Sequence, residues 1–70
     1  MIILTEVYVK DMDMRTLQPV NKDKTIWVNP SHIVLMDEKE LSMTLSTEKI
    51  YYFRHHAKWE YIRTMVYNYT

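Results

Sequence analysis

No glycine occurs anywhere in the 70 residues, and that absence limits how this chain can turn. Tight two-residue hairpins need positive φ, a conformation glycine reaches without steric cost, so wider turns of type I are expected. A glycine-rich phosphate cradle is excluded for the same reason. Cysteine is absent too, which excludes a disulfide scaffold, a thiolate zinc site and a cysteine nucleophile.

Five segments nonetheless read as strands. Residues 2–9 alternate Ile3, Thr5, Val7 and Val9 against Leu4, Glu6 and Tyr8, and residues 25–28 and 33–37 are rich in β-branched and aromatic types. Between the second and third, Asn29-Pro30-Ser31 marks a turn. Residues 41–46 alternate without a break, with Leu41, Met43 and Leu45 facing inward and Ser42, Thr44 and Ser46 outward. Residues 49–54 form the fifth strand, Ile50 and Tyr52 on one face and Tyr51 and Phe53 on the other. From His55 the period changes: Trp59, Ile62, Val66 and Tyr69 share one face of a helix, with Trp59 as the plug against the sheet. A single α+β domain over residues 1–70 follows, a small antiparallel sheet or partly closed barrel with one C-terminal helix.

Residues 10–24 carry much of the charge and the first proline. They are expected to form a long polar loop, either functional or partly an extension of the flanking strands, with Met12, Met14, Leu17 and Val20 folded back over the core. The first strand carries one charge, Glu6, and no proline or lysine before residue 10. It is expected to be an open sheet edge that pairs with a second copy, through Leu4, Glu6, Val7 and Tyr8, to give a two-fold homo-oligomer.

Nine basic residues balance nine acidic ones, so nucleic acid is not expected as a partner. No apolar run is long enough to span a membrane and no basic leader opens the chain, which points to the cytosol. Serines 31, 42 and 46 lack a positioned base, and His55-His56 lacks metal-ligand spacing, with only His32 or a carboxylate such as Asp11, Asp13 or Glu60 able to complete a site. Neither a catalytic residue nor a metal or cofactor is therefore assigned, and the chain is read as a non-enzyme. The candidate site is Tyr52, Arg54, His55, His56 and Lys58, where cations and rings interleave in a way that suits a protein hot spot or a small nucleotide.

Residues 1–5 (Met-Ile-Ile-Leu-Thr), Ile26-Trp27-Val28-Asn29 leading to Ile33, and Met43-Thr44-Leu45-Ser46 followed by Lys49-Ile50-Tyr51-Tyr52 resemble the small FlbD/SwrD-type flagellar motility family. The resemblance implies two hairpins, a terminal helix and a role in modulating motility. That family has Asn-Gly at its first hairpin, where residues 10–24 stand here, and glycine where Thr47-Glu48 stands. Phe, Tyr, Met, Ile, Asn and Lys total 28 against 6 for Gly, Ala, Arg and Pro, the skew of an A/T-rich coding sequence. Such a glycine-free, Met- and Tyr-rich miniature also looks like a phage-encoded accessory protein. The expected function is a non-enzymatic binding protein, phage or mobile-element encoded, that inhibits a bacterial host factor or defence component in the host cytosol. The alternatives are an oligomeric protein that sequesters a small nucleotide and a cytosolic modulator of flagellar motility.

Overall fold

The computed structural model describes residues 1–69; Thr70 and the Tyr69 side chain, expected on the buried helix face, lie outside the described residues. Strands β1 (Ile3–Asp13) and β2 (Gln18–Val28) form a long hairpin in continuous register from Ile3 opposite Val28 to Asp13 opposite Gln18. A 3-10 turn, Pro30–His32, is capped by Asn29, whose side chain accepts from the Ser31 amide. Strands β3 (Ile33–Asp37), β4 (Ser42–Leu45) and β5 (Ile50–Tyr52) follow as an antiparallel meander, and helix α1 (His56–Tyr69) ends the fold. The sheet order is β2-β1-β5-β4-β3, so the sheet is open, with β2 and β3 outermost.

Alternation along the strands sends one set of side chains under the helix. Val7, Val28, Ile33, Met43, Tyr51 and Phe53 pack against Trp59 and Ile62 of α1. Trp59 is the expected plug, buried to 2%, and its Nε1–H donates to the Ser42 carbonyl at 3.0 Å, so the ring's polar atom is satisfied inside the core. Ser42, expected to face outward, is buried as well.

Three expectations are corrected. Residues 10–24 are not a long loop but follow the other alternative, extension of the flanking strands: β1 and β2 run on as a two-stranded arm and only residues 14–17 turn. The polar side chains suit an arm that is mostly in water: Lys22 pairs with Asp11 at 3.1 Å, and Asp13 closes the turn by accepting from the Arg15 amide on its side chain and the Leu17 amide on its carbonyl. Met12, Met14 and Leu17 do not cover the core but stand 47%, 79% and 67% exposed. Second, β1 is no outer strand; it lies between β2 and β5, and Val7, proposed as an interface residue, is buried in its own chain's core.

Third, the hairpin turns are wider than two residues, as expected, but the chain does use positive φ in them. Leu17 (57°), Leu41 (53°) and Glu48 (71°) each sit in the left-handed region near the end of a turn. A side chain there costs about 1–2 kcal/mol relative to glycine. Leu17→Gly should therefore raise stability in a denaturant melt by about 0.5–1 kcal/mol, the relief exceeding glycine's extra unfolded-state entropy. Phe53→Ala should instead leave the chain unfolded by circular dichroism, since about 3–5 kcal/mol of lost packing matches the whole stability of so small a core.

Candidate functional site

The hairpin arm and the start of α1 frame the places where chemistry-bearing side chains gather. Where β5 ends, Arg54 and His55 lead into the helix beside β1 and β2. A cavity of about 220 Å³ lies there, lined by Glu6, Val7, Asp23, Lys24, Thr25, Arg54, His55 and Lys58. A second depression, with Leu4, Ala57 and Tyr61 on its walls, shares Glu6, Thr25 and Lys58 with the first. Three of the five expected site residues, Arg54, His55 and Lys58, are thus brought together, and Lys24 joins them from β2.

Their charges are partly spent. Arg54 Nε donates to Asp23 Oδ1 at 2.8 Å while its guanidinium lies 4.5 Å from the centre of the Tyr8 ring. Lys58 Nζ stands 3.4 Å from Glu6. Tyr52 is not in the cavity: its ring stacks on Tyr8 at 5.4 Å, and Lys10 Nζ sits 4.3 Å from its centre. Of the expected interface residues, Tyr8 is therefore held in this stack and Glu6 in an ion pair, whereas Leu4 remains 51% exposed.

His56 points elsewhere. Its Nε2 is 2.8 Å from Glu38 Oε2 in the β3–β4 turn, and its ring lies beside Trp59. Glu60, one helical turn on, completes a group of three donors within 4.8 Å that could hold a divalent cation. Arg63 already occupies Glu60, with Nη2 at 2.7 Å and Nε at 3.2 Å. Of the serines, Ser31 donates its hydroxyl to Asn29 Oδ1 at 2.8 Å rather than to an imidazole.

The tip of the arm is the feature that sequence reading placed in the wrong role. Met12, Met14 and Leu17 were visible as apolar residues in a polar segment, but their exposure depends on how far the hairpin reaches past β5. Leu17 is anomalous on two counts, since it exposes an apolar side chain and holds a left-handed backbone. Asparagine tolerates that backbone and is polar. Leucine there gains nothing from burial, and an exposed apolar side chain on a strained backbone is the kind of feature found at functional sites.

No family model, no curated protein and no solved structure matches this chain.

Two carboxylates are held below their usual range. Hydrogen bonding from Arg63 lowers Glu60, and the Met12 amide followed by Lys22 lowers Asp11. A depressed folded-state value stabilises the fold above the ordinary carboxylate range, and that contribution is lost as pH falls towards the folded value. An NMR titration should find the Glu60 carboxyl midpoint below that of a model glutamate, and Arg63→Gln should move it upward.

Proposed function

We propose that this chain is a non-enzymatic binding protein that engages a bacterial host protein stoichiometrically through the tip of its β1–β2 arm. The observation that carries the reading is the exposed apolar tip, Met12, Met14 and Leu17, with leucine kept where backbone strain favours glycine or asparagine. Methionine adapts its shape to a partner's pocket, and Arg15 beside it adds a cation that is mostly in water. The A/T-rich composition fits a phage-encoded chain, and action in the host cytosol fits a chain in which, among the described residues, no helix is long and apolar enough to cross a membrane.

Nucleotide capture is the second reading. It is supported by the convergence of Lys24, Arg54, His55 and Lys58 on the cavity at the arm's root. Arg54 and Lys58 would have to exchange Asp23 and Glu6 for the ligand. Calorimetry against a panel of nucleotides tests it, and silence at high micromolar concentration removes it.

The tip reading predicts that tagged protein retains one bacterial protein in stoichiometric amount. Leu17→Asn combined with Met14→Ser should weaken binding of that isolated partner by about thirtyfold or more, as loss of a hot spot does, while the melting temperature stays level or rises. Unchanged affinity in this variant rejects the arm as the recognition element, and turnover of any substrate rejects the class.

A further inference from the structure

Both outer strands of the open sheet lack a partner on one side among the described residues, and they are not equally protected. In β3, Val34 is an extra residue between the Ile33–Leu45 and Leu35–Thr44 pairs, a bulge that breaks the regular row of backbone groups. The first half of β2 is blunted by Pro19, Lys22, Asp23 and Lys24. Its second half, residues 25–28, has neither charge nor proline and carries Trp27, 68% exposed and paired with the exposed Leu4.

We infer that this half of β2 pairs antiparallel with the same segment of a second copy, joining two sheets into one of ten strands. For the joined sheet to keep its faces, residues opposite one another must have numbers of the same parity. A register centred on Asp23 sets Lys22 against the mate's Lys24, and one centred on Lys24 sets the lysines against each other; like charges directly opposite are destabilising. Centring on Thr25 leaves Asp23 facing Trp27. A centre at Trp27 needs Asn29 as a strand residue, but Asn29 is committed to capping the 3-10 turn before the buried Pro30. Ile26 remains: Thr25 then faces Trp27, Ile26 faces its mate, and Lys24 faces Val28. The two-fold arrangement sends the two arm tips in opposite directions and leaves both uncovered.

Sedimentation across a concentration series tests this on the full chain, which should move from a mass near 8.6 kDa towards twice that value at high micromolar concentration. Thr25→Lys with Trp27→Lys places lysine opposite lysine twice and should weaken association by at least about tenfold. Thr25→Lys with Trp27→Glu removes the same side chains but sets opposite charges together, and should recover association relative to the double-lysine variant. Both positions are exposed, so circular dichroism should show an intact fold in each. A single-chain mass throughout, association unchanged by the double lysine, no recovery with the charge pair, or a mass that grows beyond two copies would each overturn the inference.

Discussion

The sheet is continuous because one residue pair makes it so. Tyr8 opposite Tyr52 is the sole backbone-paired position between β1 and β5, so the N-terminal hairpin meets the rest of the sheet there. The two backbone hydrogen bonds that make one antiparallel pair contribute about 1 kcal/mol each, too little to fix the angle of a hairpin built from two eleven-residue strands. Side chains supply the rest. The tyrosines stack, Lys10 lies against the Tyr52 ring, and Arg54 lies against Tyr8 while gripping Asp23 of β2. The arm's direction, the cavity at its root and the meeting of Val7 and Val28 with Met43 and Trp59 all follow from that junction.

The ion pairs elsewhere have a different weight. Among the described residues, each of the seven pairs has at least one exposed member, and exposed pairs contribute about 0–1 kcal/mol each. Their effect is positional: Lys22 with Asp11 suits the hairpin register, and Lys58 with Glu6 holds the start of α1 against β1. Stability comes mainly from the small core, where Phe53, Met43 and Ile62 are buried to 1% or less.

What could be read from the sequence follows from where a buried face exists. Strand β4 and helix α1 announced themselves because Met43 and the Trp59–Ile62–Val66 row sit on faces that must be covered. Met43 and Trp59 were legible as core for that reason. Residues 10–24 were not, because an arm in water on both faces has no alternation to reveal it as strand. The pairing of β1 with β5 joins positions far apart in the chain and leaves no local signature, so β1 passed for an edge. The same limit divides the candidate site: Arg54, His55 and Lys58 could be gathered by proximity in sequence, whereas Tyr52 is consumed by a distant tyrosine and Lys24 arrives from another strand.

The left-handed turns also bear on the unfolded chain. Average composition would give 70 residues about five glycines, and each one replaced narrows the unfolded ensemble by the equivalent of about 0.4–1 kcal/mol. Leu17, Leu41 and Glu48 each spend about 1–2 kcal/mol of folded-state strain. The two quantities are of the same size and opposite sign. Having less disorder to lose on folding thus offsets the strain held in the turns, and the absence of glycine leaves the net stability of this small core about where it was.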